Sequence, residues 1–186
     1  MFARTRRMNA IDLLKLQHKK TKAALDKASQ GKLDPKESKK AADELVAHMV
    51  IEEHVFYPRI RELMKDMVGE SFEEHTVARF ALARALTARG DEQIKARFTV
   101  LKELIEHHVE EEEEEMFPKV KKAVASEELE KLGERMELMF EKAVEAGLEA
   151  LITGASQDLR GPNGNGMKAN GATVTKAPSR TMRAAR

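Results

Sequence analysis

His48-Met-Val-Ile-Glu52-Glu-His-Val-Phe-Tyr57-Pro58-Arg-Ile60 and His108-Val-Glu-Glu-Glu112-Glu-Glu-Glu-Met-Phe117-Pro118-Lys-Val120 are one motif written twice, 60 residues apart. A second pair, His18-Lys-Lys-Thr-Lys-Ala-Ala-Leu25 and His75-Thr-Val-Ala-Arg-Phe-Ala-Leu82, repeats at an offset of 57. Each copy reads as a helix with one His, a turn, and a helix with His-x-x-x-Glu-Glu. The duplication therefore predicts two αα-hairpins related by a pseudo-two-fold. Short turns make each hairpin antiparallel, and four helices close into a bundle.

The surrounding composition agrees. Hydrophobic residues make up 41% and charged residues 35% of the 186, with one Tyr and no Trp. That mixture suits amphipathic helices and lacks the β-branched and aromatic runs of strands, so the fold class is all-α. Asn9 caps a first helix with Ile11, Leu14, His18, Thr21 and Leu25 inward, and Gly31 ends it. Asp34-Pro35-Lys-Glu37 opens a second helix with a cap, a Pro at the first position and a Glu at the third. Its inward face is Leu45, His48, Met49, Glu52, Val55 and Phe56, and Gly69 closes it. Ser71-Phe-Glu-Glu74 reads as a capping box for the third helix, with Phe72, His75, Ala78, Leu82, Ala85 and Leu86 inward. Gly90-Asp91 stops that helix and caps the fourth, which turns Leu101, Leu104, Ile105, His108, Glu112 and Met116 inward. Ser126 caps a fifth helical stretch reaching about Ile152. Pro58 and Pro118 remove a backbone donor at matching places and predict a kink in each long helix.

Four helices thus carry one His each on an apolar stripe, and two add a Glu in register. On a helix, positions i and i+4 differ by about 40° in azimuth and about 6 Å in height, so His48 with Glu52, and His108 with Glu112, reach a common ion. Imidazole with carboxylate suits iron, manganese or zinc, and a carboxylate can bridge two cations. Burying four imidazoles and two carboxylates without cations is costly. His18, His48, Glu52, His75, His108 and Glu112 are the candidate metal ligands. His54 lies well around the helix from His48, and His107 is one step off the stripe. Both read as surface residues, with His107 and Glu111 the fallback pair. Glu53 and Glu113 read as exposed, with a role as partners of histidine N–H groups the alternative. Met49, Phe56, Tyr57, Met116 and Phe117 read as packing that keeps the site dry.

These elements resemble the haemerythrin-like (HHE cation-binding) domain family. The matching residues are His18, His48-x-x-x-Glu52-Glu-x-x-x-Tyr57-Pro58, His75 in Glu-Glu-His, and His108-x-x-x-Glu112-Glu-x-x-x-Phe117-Pro118, covering about residues 9–122. The resemblance implies an antiparallel up-down-up-down bundle holding an oxo- or hydroxo-bridged pair of non-haem iron ions, with manganese or zinc as alternatives. It makes Glu52 and Glu112 the bridges and the four histidines terminal ligands. Two departures matter. Oxygen-carrying members have a second His four residues after the third-helix His, where this chain has Arg79. Their last carboxylate is an Asp five residues beyond its His, whereas here it is Glu112 at four. One imidazole fewer leaves a coordination position open and shifts the expectation from reversible oxygen carriage toward binding, reaction with or sensing of O2, peroxide or nitric oxide.

Turnover and pure binding both fit this pattern. The alternative is an iron- or oxygen-responsive regulatory or interaction module that uses the C-terminal helix or a basic tail without turnover. A ferritin-type centre is disfavoured, because its helices carry Glu-x-x-His and no His here has a Glu three residues before it. With no Cys, thiolate metal sites, disulfides and cysteine nucleophiles are excluded. No apolar run is long enough to span a bilayer and no signal-peptide core follows the basic start, so a cytoplasmic protein is expected. The domain division is 1–153 for the bundle with its added helix and 154–186 for a disordered basic tail. That tail carries six bases against Asp158. It reads as a solubilising end, with nucleic-acid contact the less favoured reading.

Overall fold

The computed structural model describes residues 8–152, and the expected tail lies outside them. The described residues form an all-helical bundle: α1 (Ala10–Ser29), α2 (Pro35–Ile51), α3 (Tyr57–Ile60), α4 (Lys65–Leu86), α5 (Asp91–Glu111), α6 (Phe117–Ala123) and α7 (Ser126–Ile152). Five-residue π-helical turns, Glu52–Phe56 and Glu112–Met116, join α2 to α3 and α5 to α6. Helix α1 packs on α5, α2 and α7. Helix α2 packs on α7 and α4, and α4 packs on α5. No helix among the described residues is long and apolar enough to cross a membrane.

Several boundaries follow from local chemistry. Asn9 Oδ1 accepts the Asp12 N–H at 3.0 Å. Asp34 Oδ1 accepts the Glu37 N–H at 2.8 Å while Glu37 reaches back to the Asp34 N–H, with Pro35 at the first helical position. These reciprocal bonds satisfy donors that the first turn leaves without partners. The expected kinks take the form of the π-turns. The N–H groups of Tyr57 and Phe117 donate to the carbonyls of Glu52 and Glu112, one residue before each Pro.

Four expected boundaries are corrected. The long second helix gives out at Ile60, and α4 begins at Lys65, so Gly69 and Ser71 lie inside α4. Ser71 Oγ donates to the Met67 carbonyl at 2.9 Å, the back-bonding of a mid-helix serine rather than a cap. The residue before α4 is Met64, which has no capping side chain, so nothing in the sequence marks the start. Helix α5 follows Gly90 (φ 78°), with Asp91 as its first residue rather than its cap. The amide of Leu129 donates to the Ala125 carbonyl, which puts Ser126 inside the first turn of α7. Leu86, at the frayed end of α4, is 36% exposed rather than inward.

The core comes in two layers. One gathers Ile11, Leu14, Ile51, Phe56, Tyr57, Ile60, Phe117, Val120 and Met136. The other gathers Leu25, Leu45, Met49, Ala78, Leu82, Leu101, Ile105 and Val109. His18 on α1 and His75 on α4 fall between the two layers, as does Glu112 after α5, while His48 and His108 sit at the edge of the second layer and Glu52 at the edge of the first. Helix α7 covers α1 and α2. Gly147 (φ 76°) breaks its regular dihedrals, and the buried Asp43 of α2 accepts the N–H of Leu148 at 2.8 Å, capping the restart.

Candidate metal centre

All six predicted residues converge where the two core layers meet, and all are buried. Helix α1 supplies His18, the last turn of α2 His48, α4 His75 and the last turn of α5 His108. Glu52 and Glu112 open the two π-turns. His18, His48, Glu52 and Glu112 each bring a ligand atom within 4.8 Å of the others, and Glu52, His75 and His108 do the same. Glu52 belongs to both groups. Its Oε1 lies 3.2 Å from His48 Nε2 and 3.9 Å from His18 Nε2, and its Oε2 lies 3.4 Å from His75 Nε2. Glu112 Oε2 lies 3.2 Å from His18 Nε2 and 3.7 Å from His108 Nε2.

Every imidazole is held by its outer nitrogen. The Nδ1–H of His18 donates to Glu113 (2.9 Å), that of His48 to Gln17 (2.8 Å), that of His75 to Glu53 (2.9 Å) and that of His108 to Glu74 (2.7 Å). These bonds fix the ring orientation and leave each Nε2 facing the centre, which is how a protein presents histidine to a metal. Arg79 donates to the other oxygen of Glu53 at 2.8 Å. The residue standing where oxygen carriers place a further His therefore acts on the acceptor behind His75. Tyr57 Oη donates to Glu112 Oε1 at 2.9 Å and lies 3.4 Å from His75 Nε2.

Glu53 and Glu113 correct the expectation of exposure, because a π-turn steps neighbouring residues through a smaller angle and turns both members of each Glu pair toward the bundle. Tyr57 is likewise more than packing. Gln17 and Glu74 were missed, although the repeat held the signal: each precedes the first His of its hairpin, at the same 57-residue offset. His107 is off the site, its side chain 65% exposed beside Glu74 and Glu111. His54 is half-buried and outside the two ligand groups at the bundle centre.

The electrostatics are those of a site short of positive charge. Burial pulls the His18 imidazole down, but the nearby carboxylates of Glu112 and Glu52 outweigh it and hold its pKa at about 10. His75 follows the same balance, with Glu52 and Glu53 raising it to about 9. His108 is also raised, by Glu112 and Glu74 against burial. At His48 burial wins and the pKa falls. Burial opposes ionisation of Glu52, yet His48, His18 and His75 hold it well below the carboxylate range. Burial, then the charges of Glu112 and Glu52, push Tyr57 well above 10, so its phenol stays a donor.

The donor set fits cations. His18 Nε2, His48 Nε2, both oxygens of Glu52 and Glu112 Oε2 are buried without a hydrogen-bond partner. Five such atoms pointing at one another are expensive unless an ion satisfies them. The sequence profile of the hemerythrin HHE cation binding domain matches residues 9–120. The chain belongs to that family. Searches of curated proteins and of solved structures find no significant match. Membership in the HHE family implies cation binding, and its matched span contains every residue of the inner cluster. A narrow apolar cavity of about 10 Å³ abuts that cluster, lined by the four imidazoles with Thr21, Leu45, Met49, Ile105 and Val109.

Proposed function

We propose that this HHE domain holds two iron ions, with His18 and His48 serving one, His75 and His108 the other, and Glu52 and Glu112 shared. The observation that carries the reading is Glu52: its two oxygens face separate histidine pairs and neither has another partner. Nitrogen and oxygen donors without thiolate favour iron, with manganese or zinc as alternatives. The helix order and contacts support an up-down-up-down reading of the bundle.

Bound in this way, a ferrous pair supplies two electrons at one place to a small oxidant. The chain's own residues do the rest. The Nδ1 acceptors hold the imidazoles still, and Tyr57 keeps a proton on a phenol beside Glu112 and His75. The two core layers exclude bulk water. A 10 Å³ cavity has room for about one water-sized molecule. Its size and apolar walls favour O2, peroxide or nitric oxide over larger substrates, for binding, reaction or sensing. Metal analysis of the purified protein with spectra before and after dithionite tests this. Two irons per chain, with near-ultraviolet absorption that dithionite bleaches and O2 restores, is the expected result. Stoichiometric iron with no oxygen- or nitric oxide-dependent spectral change would refute it. For the regulatory alternative, the apolar face of α7 is already spent on α1 and α2, which leaves the residues beyond 153 as its contact.

A further inference from the structure

On the side turned away from the ligands, α4 and α5 share an apolar outer face. Phe80 is 65% exposed, Val100 53% and Val77 49%. With Ala81, Ala96 and Leu104 they line a groove of about 390 Å³ that has Arg84 and Arg97 on its rim. Scattered exposed aliphatics need no explanation, but a contiguous apolar face rimmed by charge marks a contact surface.

The pattern along α4 identifies the occupant. Glu73, Val77, Phe80 and Arg84 step by four, three and four, so they form one stripe within about 60° of azimuth. The stripe runs acid, apolar, apolar, base. A two-fold axis crossing α4 between Ala78 and Arg79 brings Val77 against Phe80 of a second copy and Glu73 against its Arg84, and repeats both pairings on the other side. Self-complementarity of this kind is what an isologous interface requires. Val100 of α5 lines the same groove as Phe80. The chain's own residues 154–186 are a poor occupant: they carry six bases against one acid, and the groove rim is itself basic.

We propose that the chain forms a two-fold homodimer through the α4–α5 face, each Phe80 seated in the groove of the other copy and Glu73–Arg84 ion pairs closing both ends. Sedimentation of the full metal-loaded chain tests it, at concentrations up to the order of 100 µM. A species of twice the 20.9 kDa chain mass is expected. Phe80→Glu should give monomers. Glu73→Arg and Arg84→Glu should each weaken the dimer, by roughly tenfold, since each sets like charges against one another. The double variant E73R/R84E should restore it. All three positions are exposed, so unchanged helicity and metal content check the fold. The proposal is overturned by a monomer across this range, by a dimer that survives Phe80→Glu, by a double variant no better than the singles, or by a dimer lost on deleting residues 154–186.

Discussion

Two protons stand where the cations would bind, and counting them tests the site. His18 and His75, with pKa values of about 10 and about 9, are both charged near neutral pH in the metal-free chain, beside the carboxylates of Glu112 and Glu52. His48 is pushed down by burial and brings no proton to displace. Loading two divalent ions should therefore expel close to two protons at about pH 7.5. Each displaced proton gives a tenfold gain in affinity per pH unit, so the product of the two binding constants should rise about a hundredfold per unit between about pH 7 and pH 9. Calorimetry with zinc, which has no redox chemistry, in buffers of different ionisation enthalpy reads the proton count directly.

The same shifts set the stability of the metal-free protein. Both folded pKa values stand above the unfolded value of 6.5, so the folded state binds more protons. Their stabilisation is complete below about pH 6.5 and drains away as pH rises through about 9 to 10, so the metal-free melting temperature should fall over that window. Loaded protein, with the protons already gone, should not follow. Proton release near zero, or an affinity flat in pH, would refute the pairing of His18 and His75 with the buried carboxylates.

Three further outcomes follow from the same geometry. His75→Ala should cut metal content from two ions per chain to one or none by elemental analysis, while His107→Ala, at an exposed position, should leave it at two. Arg79→Ala, which releases the outer oxygen of Glu53, should weaken metal binding by about tenfold, the usual scale for partners of a ligating histidine; the double variant with Glu53→Ala should be no worse than Glu53→Ala alone. Gly133→Ala should destabilise the fold by roughly 1–3 kcal/mol in urea unfolding, because a Cβ there collides with the Met8 carbonyl. Gly69→Ala, in open space within α4, should instead add up to about 1 kcal/mol.

The sequence made the candidate ligand set legible through its repetition. A single His-x-x-x-Glu is weak, and Glu110 to Glu115 offer a Glu at almost any spacing from His108. The 60-residue offset selects Glu112, and the buried Nε2 and carboxylate oxygens converge as that alignment requires. The caps at Asn9 and Asp34 were legible because side chain and backbone lie within four residues of each other. What escaped depended on the third dimension. Helix α4 starts at Met64–Lys65 because the chain turns after Ile60, while Ser71, a better cap by type, falls mid-helix. Glu53 and Glu113 point where ideal helical azimuth forbids, because the π-turns widen the helix beneath them. The Asp43 cap on Leu148 joins residues 105 apart, and no local pattern announces it.

The outer partners follow the duplication too, and where they break it the two proposed metal positions should differ. The residue before the first His of each hairpin, Gln17 or Glu74, holds the second His of that hairpin. The residue after the inner Glu, Glu53 or Glu113, holds the first His of the other hairpin. Phe117 stacks 5.8 Å from His18 as Tyr57 lies 5.6 Å from His75. Two of the exceptions to equivalence, Gln17 for Glu74 and Tyr57 for Phe117, put a carboxylate and a phenol on the His75–His108 side where the other side has an amide and a phenyl ring. A carboxylate behind an imidazole makes it a stronger donor than an amide does. The two ions should therefore be distinguishable, giving two quadrupole doublets in the Mössbauer spectrum of the iron-loaded protein. Glu74→Gln with Tyr57→Phe should draw the doublets together, since those changes restore the pseudo-two-fold. A single doublet in the unaltered protein would mean that the outer partners do not reach the metals.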